Sequence, residues 1–360
     1  PIYSSVSGTY KGIAKRMHNS LRPQNHMVIE CDFKQTKVQS FAPLDWQSAT
    51  REACVDFVKN AGIVGLGGAG FPTYVKYMKP DGVDYVLINA VECEPYITAD
   101  YRSVMDDAKD LVTGAKIMKK MAEAKTVYIC IKESHPDLIE KVKSVLTDAA
   151  GVEVRPVPDV YPMGWERVLV REVLHKEYGG LPAEAGAIIG NASSAIAIAK
   201  AFEKGEAITQ KNLTVSGECV KDPHNVCVPV GMPVSEIIEA CGGYTQDTVR
   251  LISGGPMMGK TIVNDMFVVD RAMNALTVLP AANDDAIACL RCGKCSDHCP
   301  SGLQPVRITA ALKANDVDEM SKRGVMSCIE CGMCTYICPS HIDVTENVRK
   351  AKRIVMLKKK

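Results

Sequence analysis

The sequence predicts an α/β protein of several domains that ends in a separate helical domain. The chain has 360 residues, whereas a single domain usually takes about 150. Short apolar runs alternate with amphipathic stretches between residues 46 and 206, which is typical of a parallel sheet covered by helices. Eight of the 15 cysteines are crowded between Cys289 and Cys338, in a stretch that otherwise reads as helical.

The composition is that of a globular protein with a hydrophobic core, since 46% of the residues are hydrophobic and 24% are charged. The formal net charge of +1 gives no electrostatic basis for binding nucleic acid. We find neither an apolar run of the ~20 residues that a membrane span needs nor a secretory leader. We therefore expect a cytoplasmic protein, either free or peripheral at the inner face of the membrane. Because the chain begins at Pro1 rather than Met, we also expect an N-terminal segment to precede it.

Residues 1–45 predict part of a small β-module. The stretches Pro1–Gly12 and His26–Asp32 are alternating or apolar, and Gly8 and Gly12 are typical of turns. Both stretches are therefore predicted to be strands.

Residues 46–206 predict the α/β domain. Asp45 is an acidic cap for the first helix, in which Ala53, Phe57 and Val58 follow helical spacing. The strands are short and apolar, as in a sheet that is buried on both faces. The predicted helices are Asp45–Asn60, Ala99–Ala122, Pro136–Ala149, Trp165–His175 and Ala192–Glu203, and the predicted strands are Tyr85–Asn89, Thr126–Ile131 and Val152–Pro156.

Residues 207–280 predict a small α+β module of the β-grasp type, because strands surround one short helix. The predicted strands are Leu213–Gly217, Asn225–Pro229 and Val249–Ser253, and the predicted helix is Val234–Cys241. Residues 281–360 are predicted to form the helical domain that carries the crowded cysteines.

The crowded cysteines repeat one spacing twice. Each repeat has the form C-x2-C-x2-C-x3-C-P, the ligand pattern of bacterial ferredoxins with two [4Fe-4S] clusters. The short gaps let one loop present three thiolates to one cluster, while the fourth cysteine points to the other cluster. Gly293 and Gly332 leave room for each loop to wrap close to sulfur. The predicted ligand sets are Cys289, Cys292, Cys295 and Cys338 for one cluster, and Cys328, Cys331, Cys334 and Cys299 for the other.

Zinc is the alternative ligand for such cysteines. Structural zinc takes four ligands, usually as two C-x-x-C pairs at a longer separation. Four cysteines within eleven residues, found twice and followed each time by Pro, favour clusters instead. The other seven cysteines are scattered along the chain, and we interpret them as small buried residues rather than as ligands or disulfides.

The stretch Gly65–Gly70 satisfies the pattern G-x-G-x-x-G but differs from the dinucleotide fingerprint. That fingerprint follows a strand and opens a helix, whereas the stretch before Gly65 reads as a helix. A glycine loop of this kind brings backbone N–H groups close to a phosphate; the alternative is a glycine turn without a ligand. The candidate phosphate-binding residues are Gly65, Gly67, Gly68, Ala69 and Gly70, with Lys76 as a neutralising charge.

Polar residues follow the predicted strand Tyr85–Asn89 at its C-terminal end, where open α/β sheets bind ligands. Asn89 offers an amide to the edge of a heterocycle. Glu92 and Glu94 offer carboxylates to ribose hydroxyls or to an amide. The alternative is a solvated acidic loop without a ligand.

The motifs together carry a resemblance to a known family. The run Gly-Leu-Gly-Gly-Ala-Gly-Phe-Pro-Thr at 65–73, followed by Asn-Ala-Val-Glu-Cys-Glu-Pro at 89–95, resembles the FMN and NADH site of the flavoprotein subunit of respiratory complex I. The chain is more similar still to RnfC, a component of the Rnf electron-transport complex, in which a Glu-Cys-Glu-Pro-Tyr loop with a following Asp recurs. The motifs at 161–164 and 254–259 and the double cysteine motif also resemble RnfC. The resemblance extends from Pro1 to Arg353.

The resemblance implies a fold, cofactors and a substrate. It implies an FMN-binding α/β domain at 46–206 like that of the complex I flavoprotein. It also implies a partial barrel-sandwich module at 1–45, an SLBB β-grasp module at 207–280, and a helical dicluster [4Fe-4S] domain at 281–360. Electrons are then expected to pass from NADH through FMN and the two clusters to a partner protein, because a flavin connects two-electron and one-electron donors. Asn191 is implied as a further flavin ligand, and no side chain is expected to act as a proton acid or base.

Two branches of the family differ in their partner. One is the membrane-associated RnfC, which works with ferredoxin and the other Rnf subunits. The other is the soluble carrier associated with D-proline reductase in amino-acid-fermenting anaerobes (PrdC). Here residues 301–305 read Ser-Gly-Leu-Gln-Pro in place of a more apolar Met-Gly-Leu-Leu-Pro, and a long alanine- and lysine-rich tail is not seen. These departures favour the soluble branch, with proline reductase as the expected partner.

Two alternatives remain open at the level of the sequence. A flavin-free relay or scaffold protein would carry clusters but show no flavin absorbance and no NADH-dependent dye reduction. In the second alternative, the SLBB-like module binds a small ligand such as a cobalamin and delivers electrons to it.

Overall fold

The computed structural model describes residues 2–36, 38–147, 150–281 and 285–358. The chain folds into two compact units, one formed by residues up to 255 together with 260–280, and one formed by residues 256–259 together with those from 281 onward. Strands and helices are mixed in the first unit, and the second is helical, which confirms the predicted fold class. None of the helices in the described ranges is long and apolar enough to cross a membrane.

An antiparallel hairpin begins the first unit. Its strands are β1 (Gly8–Met17) and β2 (Pro23–Cys31), and they pair from Gly8 with Cys31 to Met17 with Pro23. The prediction of a strand over Pro1–Gly12 was therefore wrong in its bounds, and Pro1 lies outside the described residues. Gly12 falls at an irregularity in the pairing, where its φ of +106° is accessible to glycine, so it lies within the strand rather than at a turn.

The first helix, α1 (Arg51–Asn60), begins later than the predicted start at Asp45. Thr50 is the N-cap, because its side chain accepts a hydrogen bond from the Ala53 backbone N–H at 3.2 Å. Asp45 instead accepts from the Gln47 N–H at 3.0 Å, in a turn ahead of the helix. Two candidate caps lie within six residues, and the sequence alone does not choose between them.

A four-stranded parallel sheet forms the centre of the α/β domain, in the order β5-β4-β3-β6. Three of its strands follow the prediction closely, and the fourth was not predicted. That strand, β6, leads directly into a helix with no turn residue between them, because Asn191 ends the strand and caps the helix. The strands are β3 (Tyr85–Ala90), β4 (Thr126–Lys132), β5 (Val152–Val157) and β6 (Ala187–Asn191).

Five further helices belong to this domain. The predicted helix Ala99–Ala122 is two helices, because the backbone leaves the helical region at Asp107, where φ is −116° and ψ is +34°. The predicted end of the next helix at Ala149 lies outside the described residues. The helices are α2 (Ala99–Asp106), α3 (Ala108–Ala122), α4 (Pro136–Ser144), α5 (Glu166–Leu174) and α6 (Ala192–Lys204).

The helices α3 and α6 pack closely on one another. Gly114 of α3 permits this approach, because a Cβ at this position would overlap the backbone carbonyl of Ala195 in α6. The core around the sheet is formed by large buried side chains that include Tyr77, Leu111, Met118, Ile129 and Phe202. This packing fixes the start of α6, and with it the position of Asn191.

Residues 210–280 form a five-stranded sheet with one helix, as a β-grasp module does. The strand order is β10-β9-β11-β7-β8, with β7 and β11 parallel to each other. The last two strands were not predicted. The elements are β7 (Gln210–Ser216), β8 (His224–Pro229), α7 (Val234–Ala240), β9 (Val249–Ser253), β10 (Lys260–Ile262) and β11 (Ala275–Pro280).

The second unit is built from short helices that pack on one long helix. Its core contains Leu303, Ile308, Met320, Val348 and Val355. The helices are α8 (Lys294–Asp297), α9 (Pro305–Lys313), α10 (Val317–Lys322), α11 (Met333–Tyr336) and α12 (Val344–Lys358).

Candidate functional site

The candidate cofactor site lies at the carboxyl edge of the parallel sheet. Asn89 of β3 and Asn191 of β6 are register partners at the ends of neighbouring strands. The acidic loop, residues 89–95, continues from the first of these strands, and helix α6 continues from the second. Open parallel sheets bind their ligands at this edge. Two of the predicted site residues are thus brought side by side by the sheet itself.

The glycine loop, residues 65–70, lies beside the first turn of α6. The Leu66 N–H donates to the Ser194 Oγ at 2.9 Å, and the Gly65 N–H donates to the Phe71 carbonyl at 2.8 Å. The loop follows α1, and a short 3-10 helix, Thr73–Tyr77, comes after it. The loop therefore does not connect a strand to a helix, which confirms that it is not the ordinary dinucleotide fingerprint.

The shape of the glycine loop fits a group that approaches its backbone. A Cβ on Gly67 would lie 2.9 Å from the Nδ2 of Asn191, so the loop can stay in this position only without a side chain there. Gly68 has a φ of +110°, and a Cβ at Gly68 would meet nothing within 4 Å. A cradle of exposed amides with open space beside it is the form that phosphate sites take.

Asn191 links the glycine loop to an acidic group. Its Oδ1 accepts from the Ser194 N–H at 3.2 Å, which caps α6, and its Nδ2 donates to the Oδ2 of Asp100 at 2.6 Å. The Ser193 Oγ donates to the Oδ1 of the same carboxylate at 2.6 Å. Sequence reasoning did not select Asp100 or the two serines, although a Ser pair after an Asn cap is a typical helix start.

Glu92 occupies the start of α2 rather than an open position in the acidic loop. Its two carboxyl oxygens accept from the backbone N–H groups of Asp100 and Tyr101, at 2.8 and 3.0 Å. Burial, together with the negative charge of Asp100, raises the pKa of the Glu92 carboxyl. A role of Glu92 towards a ribose hydroxyl stays a prediction, and the hydrogen bonds described here show that both oxygens already have backbone partners.

Asn89 holds the acidic loop against the motif at 161–164. Its Nδ2 donates to the Gly164 carbonyl at 2.6 Å, and its Oδ1 accepts from the Val91 N–H at 3.1 Å. A Cβ at Gly164 would lie 3.2 Å from the Sγ of Cys93, so these two segments are in close contact. Burial raises the pKa of the Cys93 thiol to about 11.

Glu94 and Lys76 lie at two further places along this edge. A Cβ on Gly255 would fall 2.5 Å from the Oε2 of Glu94, so the carboxylate lies directly against that glycine. The Lys76 Nζ donates to the Ile189 carbonyl of β6 at 2.8 Å and forms an ion pair with Glu166 at 3.3 Å. Lys76 is therefore held near the end of β6, and contact between its charge and a phosphate stays a prediction.

The two cysteine repeats adopt the same backbone conformation. Arg291 and Glu330, each two residues after the first cysteine of its repeat, have φ values of +55° and +56°. Each donates its N–H to the Sγ of that cysteine, at 3.4 and 3.3 Å. Gly293 and Gly332 follow with φ of +81° and +80° and begin the short helices α8 and α11. Backbone N–H groups directed at sulfur are a feature of iron–sulfur ligand loops.

The fourth cysteine of the first repeat lies with the second repeat. A small cavity of the C-terminal unit is lined by four cysteines, Cys299, Cys328, Cys331 and Cys334. This donor set is the one predicted for the second cluster, and its chemistry fits that group. In the described ranges of the chain, no three His, Cys, Asp or Glu side chains are arranged to hold a single metal ion.

The fourth cysteine of the second repeat lies near the start of the first repeat. The Ile287 N–H donates to the Ser340 carbonyl at 3.1 Å, and the Ser340 Oγ donates to the Ala288 carbonyl at 3.1 Å. The chain that follows Cys338 therefore runs beside the chain that precedes Cys289. This arrangement supports the predicted exchange of fourth ligands, which stays a prediction.

Three family models match this chain. The Nuo51 FMN-binding domain matches residues 58–200, the SLBB domain matches residues 212–261, and the 4Fe-4S dicluster domain matches residues 281–339. They confirm the prediction of an FMN-binding domain and a [4Fe-4S] dicluster domain in one chain.

Curated relatives cover most of the chain, and all three described here are the C components of their complexes. The chain is 35% identical over 312 residues to that of the proton-translocating ferredoxin:NAD(+) oxidoreductase complex of Clostridium ljungdahlii, which covers 84% of this chain and 68% of that protein. It is 35% identical over 368 residues to that of the Na(+)-translocating ferredoxin:NAD(+) oxidoreductase complex of Acetobacterium woodii, covering 100% and 83%. It is 37% identical over 289 residues to that of an ion-translocating oxidoreductase complex of Rhodobacter capsulatus, covering 78% and 56%.

Solved structures show the same fold at low identity. Chains of an NAD+-reducing [NiFe]-hydrogenase, in the H2-reduced and air-oxidized states, superpose with TM-scores of 0.57 and 0.56 at 15% and 16% identity. The matches cover 90% and 88% of this chain and 66% of those chains. The extent and identity of the curated relatives show that this chain belongs to the RnfC family, the electron-transfer subunits of NADH-type oxidoreductases.

Proposed function

We propose that this chain oxidises NADH at an FMN held at the carboxyl edge of the parallel sheet and delivers the electrons to two [4Fe-4S] clusters. One observation carries the proposal. The glycine loop, Asn191 and the acidic loop lie at a single edge of one sheet, although they come from three separate parts of the chain.

The residues at this edge divide the work of binding. The amides of Gly67 and Gly68 are proposed to hold the FMN phosphate, and Asn191 is proposed to keep that loop in place. When it is bound, FMN supplies the conversion between a hydride donor and one-electron acceptors. Asn89, already fixed by Gly164, is proposed to present its strand end to the ring. In this proposal the protein contributes binding and orientation, and no side chain transfers a proton.

The acidic loop is proposed to select the nicotinamide cofactor. Glu94 lies past the end of β3, on the side where the flavin is proposed to lie, and a carboxylate there accepts well from a ribose hydroxyl. The phosphate of NADPH would be repelled by that charge. Arg102 is the arginine nearest in sequence, and it is paired with Asp106 at 2.6 Å, so it is not directed at a phosphate. We therefore propose NADH rather than NADPH as the substrate.

Replacement of Glu94 by Gln tests this assignment. Loss of a charge-assisted hydrogen bond costs about 1.5–3 kcal/mol, so the Michaelis constant for NADH is expected to rise roughly tenfold to a hundredfold. Flavin and iron contents are expected to stay unchanged, because the phosphate end is held by the glycine loop. The measurement is steady-state reduction of a dye by NADH, with flavin and iron counted in each preparation.

Glu153→Gln is the matched control for Glu94→Gln. Glu153 lies in strand β5 of the same domain and is exposed, so its replacement removes one carboxylate away from the site. An unchanged Michaelis constant in Glu94→Gln would remove Glu94 from the nicotinamide site. Equal use of NADPH by the unmodified protein would remove the acidic-loop argument as a whole.

For the electron acceptor, we propose an Rnf-type complex that couples NADH to ferredoxin, because the relatives described above are named as components of such complexes. The departure at residues 301–305 favours D-proline reductase as a second candidate acceptor. The two are separated by adding each candidate to the anaerobically purified protein. D-proline-dependent NADH oxidation with purified proline reductase would support the second acceptor, and ferredoxin-dependent turnover only with Rnf subunits would support the first.

The flavin-free relay is excluded or established by the same preparation. We expect one non-covalent FMN and about eight irons per chain, the content of two [4Fe-4S] clusters. A fully reconstituted protein with about eight irons, no flavin and no dye reduction by NADH would establish the relay and overturn the proposed function.

A further inference from the structure

Lys211 of strand β7 is buried in a place where its side chain has no obvious structural purpose. The residue is 4% exposed, whereas lysines are almost never so buried. Its Nζ donates to the Leu66 carbonyl at 2.8 Å. Leu66 is the residue directly before Gly67, so the ammonium group lies behind the proposed phosphate cradle.

The two hydrogen-bonding groups of Leu66 have partners from separate elements. Its N–H donates to the Ser194 Oγ of α6 at 2.9 Å, and its carbonyl accepts from Lys211 of β7 at 2.8 Å. The backbone on both sides of this residue is thus fixed just before the two glycines. Because a φ of +110° at Gly68 is available only to a flexible residue, the loop itself does not determine this conformation, and outside contacts must do so.

Burial of an ammonium group is costly and needs a compensating benefit. Desolvation lowers the pKa of Lys211, while the negative charges of Asp100, Asp270 and Glu92 act in the opposite direction. These carboxylates favour a positive charge in this position. A well-packed apolar side chain would avoid the desolvation cost, so the charge and its hydrogen bond are the features to explain.

We propose that Lys211 is a positioning residue for the flavin phosphate, acting by fixing the Leu66 carbonyl so that the amides of Gly67 and Gly68 are directed into the cradle. The proposal rests on the proposed function, because it assumes that FMN binds at the glycine loop. The ammonium group also adds positive charge behind a loop that would receive a dianion.

Strand β7 holds the second loop of the site as well. The Thr98 N–H donates to the Oγ1 of Thr214 at 2.9 Å, and the Ser216 Oγ donates to the Tyr96 carbonyl at 2.6 Å. One strand of the module that follows the flavin domain therefore contacts both the glycine loop and the segment after the acidic loop. This arrangement gives the module a role in shaping the flavin site without a ligand of its own.

The test uses the full chain with its clusters in place and its flavin removed. FMN and riboflavin are titrated separately into the unmodified protein and into Lys211→Met, and binding is followed by quenching of flavin fluorescence. Loss of the hydrogen bond and charge is expected to weaken FMN binding about tenfold to a hundredfold. Riboflavin has no phosphate, so its dissociation constant is expected to change by less than about threefold.

Lys120→Met is the matched control. The Lys120 Nζ also donates to a backbone carbonyl, that of Trp46 at 2.7 Å, but it lies away from the glycine loop. We expect it to bind both flavins as the unmodified protein does. If Lys211→Met does not fold, Lys211→Gln removes the charge while keeping a polar group, and the same selective loss of FMN is expected.

The outcomes separate the inference from the function on which it rests. Equal weakening of FMN and riboflavin, or no weakening of either, would overturn the role of Lys211 while leaving the FMN site intact. If the unmodified protein prefers neither FMN nor riboflavin and binds both weakly, the proposed function fails, and the role of Lys211 fails with it.

Discussion

Replacement of Cys299 by Ala is expected to remove the cluster held by Cys328, Cys331 and Cys334 and to leave the nearer cluster in place. The iron content should fall from about eight to about four per chain, because each [4Fe-4S] cluster carries four irons. The reason is geometric, since Cys299 lines the same cavity as the three cysteines of the second repeat. Cys227→Ala, which changes an exposed cysteine in strand β8, is the control and should keep about eight irons.

Double replacements identify which cluster has been lost. If Cys299 and Cys331 serve the same cluster, the variant that lacks both should still hold about four irons, because the second change damages a cluster already absent. The variant that lacks Cys299 and Cys292 should hold almost none. The reverse pattern would show that each repeat binds its own cluster with its own four cysteines, and the proposed exchange of ligands would be wrong.

The parts of the site that could be predicted from the sequence are those encoded over short distances. Four cysteines within eleven residues dictate a loop almost by themselves, and the structure shows the same positive φ values in both repeats. The glycine loop was recognised for a similar reason, since six consecutive residues define it. In both cases the chemistry and the backbone conformation depend on neighbours in the chain.

The misses have a common physical cause, which is that the deciding contact is distant in sequence. Strand β6 was not predicted because Asn191 serves as strand end and helix cap at once, and only its pairing with Asn89 marks it as a strand. The role of Glu92 as a partner of the α2 backbone depends on how the acidic loop folds back on the next helix. A lysine in a strand, such as Lys211, reads as an exposed residue until its position is known.

The glycine loop gives the other large expected effect. We expect Gly68→Leu to lose FMN, with affinity reduced by roughly a hundredfold or more, while both clusters are retained. The Cβ of a new residue at Gly68 would enter the open space proposed for the phosphate, where it meets nothing within 4 Å in the protein. The measurement is flavin and iron content of the anaerobically purified variant, followed by titration with FMN.

A change in backbone strain must be separated from a blocked cradle. Gly68 has a φ of +110°, so any larger residue there is strained as well as bulky, at a cost of about 1–3 kcal/mol. Gly82 provides the control, because it also has a positive φ, of +73°, and also has open space at its Cβ position, but it lies in the turn before β3. Gly82→Leu is therefore expected to keep its FMN. Equal loss of flavin in the two variants would show that strain alone empties the site, and retention of FMN by Gly68→Leu would show that the phosphate does not lie in this cradle.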